Sequence, residues 1–120
     1  MELSAPGSEA KRICEEYDHA KLVEIDSEEE NTAVNNELKR LGRYSAWLGI
    51  NDHLSEGNWV LVSTGQSLTF SAWRQGEPNN DNNGHYAGGK EENCCLTYPE
   101  DKKWNDFPCT DWATIVCEYV

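Results

Sequence analysis

Along the first forty residues the apolar positions recur at helical spacing. In AKRICEEYDHA, Ile13, Tyr17 and Ala20 fall at i, i+4 and i+7, which predicts a helix with Ser8 as its cap. KLVEI, Lys21 to Ile25, is a short run of strand type. A second helix is predicted behind it. Ser27 and Glu30 form an S-x-x-E capping box, and Glu28 and Glu29 suit the positive end of the helix dipole. Val34, Leu38 and Leu41 give its buried stripe, and Gly42 its C-terminal stop. The period then changes. SAWLGI (Ser45 to Ile50) and NWVLVS (Asn58 to Ser63) read as strands joined by the acidic turn NDHLSEG. From Gly65 to Lys90 there is little regular pattern apart from LTFSAW, and stretches of that length inside a domain are functional or disordered. Strand patterns return at NCCLTY, KKWNDF and ATIVCEY. Helices first and strands after them predict an α+β class.

Length makes residues 1–120 a single domain, large enough for a real core. No run of apolar residues is long enough to span a membrane. MELSAPGSEA is short and polar and lacks the apolar segment of a signal peptide. The formal net charge of -12 argues against nucleic acid as a partner, because phosphates would be repelled. Acidic surfaces keep proteins soluble, and they also attract cations.

The chain has five cysteines, which favours an oxidising, secreted or extracellular setting. None forms a C-x-x-C pair. A bridge between Cys14 and Cys117 would tie the two ends together. Cys109 sits a short hairpin away from both Cys94 and Cys95, so one of those two is left over.

Calcium takes about six to eight oxygen ligands from carboxylates, amides, backbone carbonyls and water. The irregular stretch is crowded with such groups: Glu77, Asn79 to Asn83, and Glu91 to Asn93. Asn105 and Asp106 follow Trp104 in a predicted strand, where successive side chains point to opposite faces. No EF-hand spacing is present. The competing reading is a solvated loop rich in turn-forming Asn, Asp and Gly.

W-L-G-I (Trp47 to Ile50), W-R-Q-G-E-P-N (Trp73 to Asn79), E-N-C (Glu92 to Cys94), W-N-D (Trp104 to Asp106) and V-C-E-Y (Val116 to Tyr119) occur in one order across the chain. Together they resemble the C-type lectin domain over nearly its whole length, and L-V-E-I-D-S-E-E-E-N fits as well. The resemblance implies a double-loop α+β fold of two helices, small antiparallel sheets and a long calcium-binding loop region. It implies Cys14 paired with Cys117 and Cys94 with Cys109, leaving Cys95 either unpaired or bridging two chains. It implies a calcium and sugar site on Glu77, Asn79, Glu92, Asn105 and Asp106. An auxiliary calcium site would draw on Asp52, Glu56, Asn80 and Asn93.

E-P-N resembles the pattern of binders of mannose, N-acetylglucosamine and fucose, on glycans or microbial surfaces. Galactose-type sugars or a protein partner are the alternative. The glycine-rich GHYAGGKE is similar to an insertion in some galactose binders, with His85 or Tyr86 as a stacking platform. Enzymatic activity is not expected. Acid pairs would serve as calcium ligands, and His19, His53 and His85 make no persuasive triad with a serine and an aspartate. A shallow sugar site needs several copies for avidity, and Cys95 is the one hint of a covalent or non-covalent oligomer.

Overall fold

The computed structural model describes residues 3–16, 20–52, 58–74, 76 and 94–119. In chain order its elements are β1 (Leu3–Pro6), α1 (Gly7–Glu15), β2 (Ala20–Leu22), α2 (Glu28–Arg40), β3 (Ala46–Asn51) and β4 (Val60–Leu61). They are followed by β5 (Cys94–Tyr98), β6 (Lys103–Phe107), β7 (Trp112–Ile115) and β8 (Cys117–Tyr119). The class is α+β. The larger sheet runs β1-β7-β3-β5-β6 with β4 paired to β3, and β2 pairs with β8. All these ladders are antiparallel except β3–β7, which is parallel.

Helix α2 starts as its capping box dictates. Ser27 accepts a hydrogen bond from the Glu30 amide at 3.1 Å, and Glu30 accepts one from the Asp26 amide at 2.9 Å. It ends in a Schellman pattern: the Gly42 amide donates to the Lys39 carbonyl and the Arg43 amide to the Leu38 carbonyl. Gly42 takes φ 73°, the left-handed region that favours glycine there.

The buried stripe of α2 differs from the apolar expectation. Asn31, Asn35 and Leu38 are buried, Val34 is half-buried, and Leu41 is 43% exposed. Leu41 lies beyond the last helical residue, where the stripe has turned away from the sheet. Helix α1 also departs from expectation. It begins at Gly7 after Pro6, so Ser8 lies inside it and makes no cap. Proline has fixed φ and lacks an amide, so it ends β1 and leads into the helix. Ala10 and Cys14 carry the buried face, and Ala20 belongs to β2.

The apolar run at 21–25 keeps only its first residues in β2. Val23 instead bridges elements: its amide donates to Val116 at 2.9 Å and its carbonyl accepts from Gly49 at 2.7 Å. NWVLVS shrinks to β4, and ATIVCEY divides at Val116 into β7 and β8. LTFSAW forms no strand, only an isolated bridge at Trp73, with another at Ser67 just before it.

Two apolar clusters sit on either side of the larger sheet. One gathers Trp47, Cys94, Leu96, Tyr98 and Ile115 with Cys14. The other gathers Ile25, Leu48, Ile50, Trp59, Cys95 and Trp104. Cys94 and Cys95 are adjacent in β5 and face different clusters, as strand alternation requires. The disulfides are Cys14–Cys117 and Cys94–Cys109. Cys95 is the free cysteine and is 0% exposed. A bridge from its sulfur to a second chain would require the sheet to open, so the unpaired alternative fits the fold.

Candidate functional site

Strand β6 carries the W-N-D residues and is the last strand of the sheet. Its position is fixed from three directions. β5 pairs with it along its whole length, from Cys94 opposite Phe107 to Tyr98 opposite Lys103. On its other side residues 72–74 lie against Trp104. The Trp104 amide donates to the Ala72 carbonyl and the Arg74 amide donates to the Trp104 carbonyl, each at 2.8 Å.

From behind, α2 reaches it through a buried polar network. The Trp104 indole N–H donates to Asn31 Oδ1 at 2.9 Å, and Asn31 Nδ2 donates to the Lys102 carbonyl at 2.9 Å. Asn35 Nδ2 donates to the Asn31 carbonyl at 2.9 Å, and Thr97 Oγ1 donates to Asn35 Oδ1 at 3.0 Å. A buried network whose members are satisfied fixes a unique arrangement. The network holds Trp104 at 0% exposure just ahead of Asn105 and Asp106. These asparagines lie outside the apolar pattern that predicts the stripe of α2. Their signal was present: Asn31, Asn35 and Leu38 share one helical stripe.

Asn105 and Asp106 leave opposite faces of β6. Asn105 lies on the Leu96 and Tyr98 side, half-buried, and its Oδ1 is buried without a hydrogen-bond partner among the described residues. Asp106 lies opposite Cys95, on the Trp104 side, and is fully buried. Backbone directions alternate along a strand, so the amide and carbonyl of Asp106 point the same way as those of Trp104, outward. Burial first, and then the Asp106 charge, push the Cys95 thiol pKa well above its ordinary value. Burial raises the Tyr98 phenol as well, opposed by a hydrogen bond from Asn105 and the charge of Arg74.

Asp52 follows β3, is 2% exposed, and sits at the same end of the sheet: Asn51 pairs with Cys94, one place from the Cys95–Asp106 pair. Among the described residues no group of three His, Cys, Asp or Glu side chains converges as a metal cluster. Glu56, Glu77, Asn79, Asn80, His85, Tyr86, Glu92 and Asn93 lie outside the described residues. Gly76, with φ 85°, turns the chain immediately before Glu77, and Cys94 opens β5 immediately after Asn93.

A buried amide oxygen without a partner is a costly arrangement unless a hydrogen-bond donor or a cation satisfies it. Asn105 Oδ1 is such an oxygen, and a carboxylate stands next to it in the chain. Oxygens of this kind suit a hard cation, and the two side chains offer them on opposite faces of β6.

A family model, the lectin C-type domain, matches residues 4–119. Among solved structures, the mouse scavenger receptor C-type lectin carbohydrate-recognition domain superposes with a TM-score of 0.83 at 29% identity. That match covers 98% of this chain and 86% of the mouse one. The human counterpart gives 0.82 at 30% identity, covering 96% and 83%. The cow CD23 C-type carbohydrate-recognition domain gives 0.76 at 29% identity, covering 99% and 86%. The family is carbohydrate-binding and non-enzymatic, its members typically use calcium, and its disulfide-bonded domains are typically extracellular. With the family model spanning residues 4–119 on an edge strand that bears W-N-D, the chain belongs to the C-type lectin domain family.

Proposed function

We propose that this chain binds mannose-type sugars through one calcium ion held by Glu77, Asn79, Glu92, Asn105 and Asp106. Asp52, Glu56, Asn80 and Asn93 would serve an auxiliary ion. The observation that carries the reading is the buried Asn105 Oδ1 on the edge strand, without a hydrogen-bond partner among the described residues and next in sequence to the fully buried Asp106. The cow CD23 domain was solved in the presence of GlcNAc2Man3 oligosaccharide, which supports a mannose-containing ligand class by likeness.

Calcium, when bound, would supply two coordination positions to a vicinal pair of sugar hydroxyls. The protein's part is to fix the donors and acceptors around that pair. An amide both donates and accepts, whereas an ionised carboxylate only accepts. Glu77 and Asn79 therefore select one hydroxyl geometry over its mirror arrangement. Trp104, held by Asn31, keeps Asn105 and Asp106 at their places on the strand. Arg74 lies against β6 and Cys94 begins the strand paired with it, so the described residues on either side of the segment that would hold the remaining ligands adjoin this strand.

The test is retention on a mannose resin with calcium and with excess chelator. Chelator should release the protein, and retention in chelator would sink the reading. A thermal shift with calcium alone gives a second readout: Asp106→Ala should abolish the stabilisation. Glu77→Gln with Asn79→Asp should move preference toward galactose. An unchanged mannose-to-galactose ratio would assign specificity to the residues around His85 and Tyr86.

A further inference from the structure

Two large aromatic side chains stand out in solvent away from β6. Tyr44 is 79% exposed and Trp112 is 69% exposed. They border one groove of about 360 Å³, together with Ser4, Arg43, Ser45 and Thr114. The groove follows from register. On β7, Ala113 and Ile115 turn inward to the Trp47 cluster, so Trp112 and Thr114 turn outward. β1 places Ser4 directly opposite Thr114. The segment that leaves α2 after its Schellman turn supplies the other wall.

Tyr44 is exposed but held in place. Its ring meets Tyr98 edge-on at 5.7 Å, and the Arg74 guanidinium sits 3.9 Å from the Tyr98 ring centroid. An aromatic fixed in advance loses little entropy when something stacks on it.

We propose that this groove is a second carbohydrate site, taking a neutral pyranose without calcium. The chemistry of the lining is mixed in the way a sugar ring is mixed. A pyranose presents apolar C–H faces, which suit the Trp112 and Tyr44 rings, and a rim of hydroxyls, which suit Ser4, Ser45 and Thr114. A purely apolar partner would leave those three hydroxyls facing hydrocarbon. The Trp112 wall of the groove is separate from the W-N-D site, whereas Tyr44 rests on Tyr98, the neighbour of Asn105. In the order β7-β3-β5-β6, three strand spacings lie between Trp112 and Asp106, about 14 Å across the sheet. Two sites on one domain would let a single chain hold two points of a branched glycan. The inference takes its ligand class from the carbohydrate-binding reading, but it does not depend on calcium.

The experiment is saturation-transfer NMR with methyl β-glucopyranoside and cellobiose in excess chelator, where the first site is silent. Wild-type protein should transfer saturation to the ring protons. Trp112→Ala should weaken binding about tenfold, the scale of one aromatic stacking contact. Trp112 is mostly exposed, so the variant should keep its thermal midpoint and its calcium-dependent retention on mannose resin. No transfer in chelator, or transfer unchanged in Trp112→Ala, overturns the proposal. Self-association that Trp112→Ala abolishes, with no sugar signal, would overturn it too and assign the groove to a second copy of the chain. Loss of mannose-resin binding with chelator-resistant transfer intact would remove the first reading and leave this one standing.

Discussion

The two sides of the larger sheet are held together by different means. The Trp47 side contains both disulfides: Cys14 and Cys94 are in its core, and Cys109 and Cys117 pack against it. The Trp104 side holds the one free cysteine and relies on indole packing and the asparagine network. Trp73 meets Trp59 at 5.0 Å and Trp104 at 5.7 Å, and Phe70 meets Trp104 at 5.8 Å. Covalent closure serves where chain ends must be brought together. Directional hydrogen bonds serve where a strand must present particular side chains at a fixed position.

Removing the links one at a time would break or sharpen that contrast. The largest effect should come from Cys14→Ser with Cys117→Ser. That bond closes a loop of 103 residues, and its loss should cost about 4–5 kcal/mol by the chain-entropy estimate. Cys94→Ser with Cys109→Ser opens a separation of 15 residues and should cost about 3 kcal/mol. Urea unfolding of both pairs measures the order. If the shorter loop proved the costlier, native packing rather than chain closure would be what the bridges supply.

Next in size is Asn31→Ala. It strips the acceptor from the Trp104 indole and the donor to the Lys102 carbonyl, leaving buried groups unpaired. A loss of about 2–3 kcal/mol is expected, with a shift in Trp104 fluorescence. An unchanged midpoint would mean that apolar packing alone positions β6. The smallest effect belongs to Cys95→Ala, at about 1 kcal/mol or less for trimming a small buried group. In the native state Cys95 should also resist alkylation and react only after unfolding. Rapid labelling of native protein would show that the Trp104 side opens readily, and would restore the cross-chain alternative for this thiol.

Local chemistry made part of this architecture legible. The Ser27–Glu30 box and the Gly42 stop are readable because they rest on neighbouring residues, β3 and β5 because they are runs of strand-forming residues buried on both faces, and β6 and β7 because they alternate with period two. The second helix was harder. Its stripe was read from Val34, Leu38 and Leu41, because apolar residues are the default signal for burial. Asn31 and Asn35 are buried on that stripe because Trp104, Thr97 and the Lys102 carbonyl offer them partners. Those partners are 62 to 73 residues away in sequence. The strand β1 was hidden in a polar opening segment, since a short edge strand is defined by its neighbour β7 rather than by its own pattern.

The sequence by itself determined the family, through ordered motifs, and supplied the oxygen donors on which the calcium proposal rests. It also narrowed the odd cysteine to Cys94 or Cys95 by spacing, and the family resemblance then named Cys95. Tertiary structure alone decided that Cys95 is sealed inside, that asparagines carry the helix–sheet contact, and that Tyr44 and Trp112 border one groove. The physical reason is range. Capping, turning and alternation act over a few residues, whereas burial and the pairing of polar groups depend on which distant segments the sheet order brings together.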